Sequence, residues 1–225
     1  QLQPRGALVY PDFCEQHVFD DLIEQYDPLR TLWRSWDMGF VRPACVAFQI
    51  DEHGRKNVLF SKMGHNIQLT DFIDEIGALQ NEILPKVVET MDILPHDANR
   101  KYDVSPHSAL DIFHNKGLSN VETIYVKKEA SYAQINEELK QFSKGEPMVR
   151  IDAHYCADLL QALAGYTRHE ETGAARKDNY FEHLSDAFKL GCFYIAKKMT
   201  LNEEIEMKEP SYYNLEFGKE SKLLQ

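Results

Sequence analysis

Three aspartates stand where separated stretches of chain could bring carboxylates to one place: Asp37, Asp97 and Asp186. Asp37 closes a short apolar-aromatic run, Leu32 to Asp37, in the segment Trp36-Asp37-Met38-Gly39-Phe40. A carboxylate at a strand end is aimed by a rigid sheet, and a nearby glycine lets backbone or substrate come close. Asp97 ends a second run, Ile93-Leu94-Pro95-His96-Asp97, which in a mixed sheet can lie beside the first. Asp186 falls in Glu182-His183-Leu184-Ser185-Asp186-Ala187, within a helical stretch. His183 and Asp186 are three residues apart there and share one helical face.

Carboxylates gathered in this way bind hard divalent cations. Two such ions activate a water and stabilise the leaving oxygen in an in-line phosphodiester displacement. Oxygen ligands favour Mg²⁺ or Mn²⁺, and the imidazole of His183 leans towards Mn²⁺. Taken singly, each acid also has a structural reading: Asp37 as a turn residue, Asp97 as an Asx-turn, Asp186 as a solvated helix position. What points to a site is their joint placement after the first strand, after the fourth and on the last helix. Asp92 and Asp103 flank Asp97 as competitors, while Asp152 and Asp178 precede helices and read as caps. Arg176 and Lys177 are candidates to hold a scissile phosphate, against the alternative of a solvated charged loop.

The elements that must position these residues follow from periodicity. Leu32–Asp37, Pro43–Ile50 and Asn57–Met63 read as strands, and Asp51-Glu52-His53-Gly54 as the turn between the last two, giving a three-strand antiparallel meander. From Thr70 as N-cap, Phe72, Ile73, Ile76, Leu79 and Ile83 recur at helical spacing, and Pro85 bends or divides that helix from Val87-Val88. After the Ile93–Asp97 strand, Ser105-Pro106 opens a helix that Gly117 closes. Val121–Val126 and Pro147–Ile151 read as strands, and Ser131–Phe142, Tyr155–Ala164 and Tyr180–Met199 as helices. Three strands followed by alternating helix and strand make an α/β mixed sheet with helices on its faces.

The bulk composition bounds the rest. With 225 residues, 43% of them hydrophobic, the chain can enclose one sizeable core. Four cysteines without a C-x-x-C pair indicate neither a zinc site nor a disulfide framework, and fit a reducing compartment. No apolar run approaches the roughly 20 residues of a membrane span. The chain begins at Gln1 rather than Met, which reads as a fragment of a longer polypeptide, although a processed chain would look the same. A formal net charge of −11 argues against a free-standing DNA binder, while carboxylates kept for metals are compatible with nuclease chemistry.

At these residues the sequence resembles the nuclease domain of terminase large subunits from tailed phages, whose herpesvirus counterparts share the fold. The resemblance is carried by Val9-Tyr10-Pro11-Asp12-Phe13, Trp36-Asp37-Met38-Gly39-Phe40, the Asp97 loop and His183-Leu184-Ser185-Asp186-Ala187. It implies a ribonuclease H-like mixed sheet, the antiparallel meander plus parallel strands, flanked by helices over residues 1–200, with a polar tail over 201–225. It further implies a divalent-metal-dependent endonuclease holding two Mg²⁺ or Mn²⁺ ions through Asp37, Asp97 and Asp186, with His183 as an accessory ligand or outer partner. Such a domain follows an ATPase motor and cuts concatemeric double-stranded viral DNA during packaging, alongside a portal and a small terminase subunit, in the host cytoplasm. The motor's phosphate loop is missing here, since Gly218-Lys219 is followed by Glu220 and lacks the upstream glycine. Two other readings stand beside this one. The first is a junction resolvase or transposase core with the same acids. The second is a non-catalytic docking module that uses the acidic surface and the tail residues Tyr212, Tyr213 and Phe217.

Overall fold

The computed structural model describes residues 8–101, 107–177 and 180–208. In chain order its elements are β1 (Val18–Phe19), β2 (Leu32–Asp37), β3 (Ala44–Ile50), β4 (Lys56–Met63), α1 (Leu69–Ile83), β5 (Thr90–Pro95), α2 (Ala109–Asn115), β6 (Val121–Ile124), α3 (Lys128–Leu139), β7 (Phe142–Ser143), β8 (Glu146–Pro147), β9 (Val149–Asp152), α4 (Ala157–Gly165) and α5 (Phe181–Lys208).

Among the described residues the main sheet has seven strands in the order β1-β9-β4-β3-β2-β5-β6, and β7-β8 form a separate hairpin. β2, β3 and β4 are the expected antiparallel meander. β5 and β6 continue the sheet in parallel on the β2 side, while β9 and then β1 do so on the β4 side. The fold class is therefore the expected α/β mixed sheet with helices packed on it. The edge strand β1 is a two-residue element with no periodicity for the sequence to display.

Alternation along β2 divides its side chains between two layers. Leu32 and Trp36 face the α1 side, where the indole of Trp36 packs edge-on against Phe72 and Phe113 in a core that includes Leu59, Ile76 and Leu94. Trp33, Ser35 and Asp37 face α5. There Trp33 packs with Ile93, Ile124, Leu190 and Tyr194, and Ser35 Oγ donates to the Ala187 carbonyl at 2.7 Å. Phe48 of β3 stacks on Phe188 at 5.9 Å. α5 lies close to the sheet because residue 191 is glycine, where an added Cβ would meet the Phe48 ring at 2.4 Å.

Several boundaries differ from those read in the sequence. α1 is preceded by Gln68, with Thr70 already inside its first turn. It stops at Ile83 and does not resume at Val87-Val88, because the residue before Pro85 is pushed out of the helical region. β5 ends at Pro95, so Asp97 lies in the turn beyond the strand instead of closing it. Ser105 and Pro106 lie outside the described residues. The N-cap of α2 is Ser108, whose hydroxyl accepts from Asp111 N while the Asp111 carboxylate accepts from Ser108 N. Gly117, just past that helix, adopts the left-handed φ of 79° that a helix exit favours.

One compact unit runs to Tyr194 and a second begins at Ile195. In the second, the helix expected to stop at Met199 continues to Lys208; the tail residues Tyr212, Tyr213 and Phe217 lie outside the described residues. No helix among the described residues is long and apolar enough to cross a membrane.

Candidate functional site

The carboxyl end of β2 meets the first turn of α5, and the contact is made by Asp37 and His183. His183 Nδ1 lies 2.5 Å from Asp37 Oδ2, each side chain 25% exposed. With the carboxylate ionised, Nδ1 carries the proton and donates, which leaves Nε2 as the nitrogen a neutral ring can offer to a cation. Burial raises the Asp37 pKa above the usual carboxylate value; the His183 hydrogen bond opposes that rise and the charge of Asp186 adds to it. The same hydrogen bond raises the His183 pKa above the ordinary imidazole value. Asp37, His183 and Asp186 thus sense one another across the strand-helix contact.

Asp186, one turn further along α5, is held by two groups absent from the sequence reading. Lys189 Nζ lies 2.5 Å from Asp186 Oδ1, and Tyr132 of α3 donates its hydroxyl to the same oxygen at 3.5 Å. The Lys189 ammonium also sits over the Tyr132 ring, 4.8 Å from its centre. Tyr132 packs edge-on against Tyr10, and Tyr10 in turn shares a 2.7 Å hydrogen bond with Ser185 Oγ. Burial pushes both phenols well up from their ordinary value, so each stays protonated as a donor. The Val9–Phe13 leader therefore contributes a residue that braces the helix carrying Asp186. The i, i+3 spacing of Asp186 and Lys189 was the sequence signal for this pair.

Asp97 lies in the turn that follows the strand paired with β2. Parallel pairing of β2 and β5 sets Ser35 beside Ile93, so both strands deliver their carboxyl ends to the same edge of the sheet. Asp97 is half-buried in the turn after β5. Among the described residues no three His, Cys, Asp or Glu side chains form a group able to hold a metal ion as they stand. The structure brings Asp37, His183 and Asp186 into mutual electrostatic reach and leaves Asp97 at the shared edge. Carboxylate oxygens from Asp37 and Asp186 and one imidazole nitrogen are donor types that a hard divalent ion takes, and the three would have to draw closer to share one.

The competing acids resolve differently. Asp92 is buried and takes a bidentate contact from Arg34, at 2.8 and 2.7 Å, together with the Trp36 indole N–H at 2.7 Å. Its oxygens are committed within the sheet. Asp152 Oδ1 accepts from the backbone N–H groups of His154 and Tyr155 at 2.9 and 2.8 Å; it shapes the turn before α4, whose N-cap is Cys156. Asp103 and Asp178 lie outside the described residues. Arg176 and Lys177 are exposed on the loop between α4 and α5, where Arg176 N donates to the Thr167 carbonyl at 3.0 Å.

No family model matches this chain, nor does any curated protein. Among solved structures, the manganese-bound nuclease domain of the large terminase g2p from bacteriophage SPP1 is similar over 77% of this chain and 90% of its own length, at 13% identity and a TM-score of 0.53. The HK97 bacteriophage large terminase covers 77% of this chain and 42% of its own, at 9% identity and a TM-score of 0.47. The yeast mitochondrial Holliday junction resolvase Ydc2 covers 83% and 89%, at 12% identity and a TM-score of 0.44. Identities this low speak to fold, and the SPP1 domain carries that comparison: this chain folds as a ribonuclease H-like α/β domain similar to a phage terminase nuclease domain.

Proposed function

We propose that this chain is a divalent-metal-dependent DNA endonuclease, the nuclease domain of a terminase large subunit that cuts concatemeric double-stranded viral DNA during genome packaging. The observation that carries the reading is the Asp37–His183 contact at the end of β2, with Asp186 one helical turn away. Asp37 and Asp186 supply carboxylate oxygens, Asp97 supplies a third from the adjoining turn, and His183 supplies an imidazole nitrogen oriented by Asp37. A Mg²⁺ or Mn²⁺ ion held there would supply Lewis-acid activation of water and of the phosphodiester. Arg176 and Lys177, exposed before α5, are the side chains assigned here to a DNA phosphate. An ATPase motor elsewhere in the polypeptide delivers the duplex to a domain whose own charge of −11 gives it little intrinsic affinity for DNA. The portal and the small terminase subunit are its further partners, and the host cytoplasm its place of action.

The test is cleavage of supercoiled plasmid with Mn²⁺, Mg²⁺ or EDTA, comparing the wild type with Asp37→Asn, Asp97→Asn and Asp186→Asn. Metal-dependent nicking and linearisation that vanish in all three variants support the reading. A folded wild type that neither cuts nor binds Mn²⁺ overturns it in favour of a docking module.

A further inference from the structure

Charge is unevenly spread over this acidic chain. β2, β4, β5 and β6 run in one direction, so their carboxyl ends share the edge of the sheet that holds Asp37. The connections that leave it are residues 38–43, 64–68, 96–108 and 125–127. Their charged residues are Arg42, Arg100, Lys101 and Lys127 against Asp97 and Asp103, in a chain that carries 36 acids and 25 Lys or Arg. Arg100, Lys101 and Lys127 are exposed; Lys101 Nζ lies 3.6 Å from Asp111, and the Arg42 guanidinium lies over the Tyr180 ring, 5.6 Å from its centre.

Aromatic rings interleave with these cations. Phe40 stands two residues before Arg42 and Tyr125 two before Lys127, and they are 56% and 60% exposed. Both are braced. Tyr125 makes a T-shaped contact with His96 at 4.8 Å, next in sequence to Asp97. The Phe40 loop is pinned by backbone hydrogen bonds from Asn66 N to the Val41 carbonyl at 2.8 Å and from Ile67 N to the Phe40 carbonyl at 3.2 Å. One exposed ring needs no explanation; two that alternate with cations along the edge holding Asp37 do.

We infer that this edge holds a DNA strand whose bases are unpaired, with the cations on its phosphates and Tyr125 and Phe40 on base faces. Every base has a π-face, so stacking of this kind is indifferent to sequence. In an intact duplex those faces are hidden in the stack, and a base must leave it to be covered by a side chain. The inference rests on the nuclease reading above and deepens it: the form of DNA held beside Asp37 is a strand opened out of the duplex.

The test measures binding in EDTA, where nothing is cut. Fluorescence anisotropy at low salt compares a labelled single strand, the same sequence as a duplex, and that duplex with an internal unpaired stretch, on wild type, Tyr125→Ala, Tyr125→Phe, Phe40→Ala and Lys127→Ala. Thermal midpoints confirm folding. The wild type should prefer the single strand and the opened duplex. Tyr125→Ala and Phe40→Ala should each weaken those two by at least about 5-fold, the lower end of what stacking one base contributes, and leave the intact duplex unchanged. Tyr125→Phe, which keeps the ring, should bind as wild type does. Lys127→Ala should weaken all three forms alike and lessen their salt dependence. Equal affinity for the three forms, or alanine variants that bind the single strand as wild type does, overturns the inference and leaves the nuclease reading to plasmid cutting. Binding of no DNA form also overturns it, and Mn²⁺-dependent plasmid cutting then tells whether the nuclease reading falls too.

Discussion

His183 Nδ1 and Asp37 Oδ2, 2.5 Å apart, join the end of a central strand to the first turn of the last helix, and this contact makes the site depend on pH even without metal. The hydrogen bond to Asp37 raises the His183 pKa, so folding favours the protonated ring. A raised folded pKa contributes stability that is fully present below the unfolded value, about 6.5. That stability is lost as pH rises through the higher folded value. In EDTA, the difference in thermal midpoint between wild type and His183→Gln should therefore be greatest near about pH 6 and shrink on the alkaline side. A difference that stays constant from acid to alkaline pH would show that the pair carries no titrating charge.

Asp37→Asn should separate function from folding. Burial is the largest influence on Asp37 and it disfavours the charged form, so a neutral isostere relieves the metal-free protein of a poorly solvated charge. The variant should be at least as stable as wild type in EDTA, yet gain no stability from Mn²⁺ and cut plasmid at least about 100-fold more slowly, since even outer-shell changes at metal sites cost 10- to 100-fold. Thermal melts with and without Mn²⁺ check the first part and plasmid nicking the second. A large loss of stability in EDTA would mean that Asp37 is a structural acid.

Asp92 should behave in the opposite way. Its carboxylate is fully engaged by Arg34 and Trp36 inside the sheet, and Asp92→Ala strands a buried guanidinium. Breaking a buried pair from one side costs about 3–5 kcal/mol, enough to leave much of a marginally stable domain unfolded. Urea denaturation of Asp92→Ala beside Asp37→Ala gives the contrast: the first should lose most of its midpoint and the second little. Equal losses would erase the distinction between the two aspartates.

How far the sequence reveals this site depends on what holds each part. The meander was legible because β2, β3 and β4 are short, largely apolar runs, the last two joined by a recognisable Asp51–Gly54 turn, and Asp37 was legible as the end of a strand. The helical face shared by His183 and Asp186 followed from spacing alone. What did not follow was the depth at which Lys189 sits, because i, i+3 spacing is the same for a solvated pair and a buried one, and burial is decided by Tyr132 and Tyr10 arriving from distant segments. The place of β9 beside β4 was equally hidden, since four residues carry no information about which strand they will join. Asp97 was legible as an acid after the fourth central strand, but its turn begins one residue past Pro95, too fine a boundary for periodicity to fix.

The last prediction concerns the distance between α5 and the sheet. A Cβ at residue 191 would lie 2.4 Å from Phe48 Cε2 and 3.0 Å from Ser35 Cβ, and the Phe48 ring is also held by stacking on Phe188. Gly191→Ala therefore lifts α5, stretches the Ser35–Ala187 hydrogen bond and draws His183 away from Asp37. Overpacking of this kind costs about 1–3 kcal/mol. Because a displacement near 1 Å can cost roughly 100-fold in rate, cutting at a temperature where the variant stays folded should fall by at least about 10-fold. Gly77→Ala on α1 is the control: nothing lies within 4 Å of its added Cβ, and replacing a glycine within a helix should stabilise by about 0.5–1 kcal/mol. Urea melts and plasmid cutting on the two variants check the pair. If Gly191→Ala proves as stable and as active as Gly77→Ala, the close seating of α5 is not what holds His183 against Asp37.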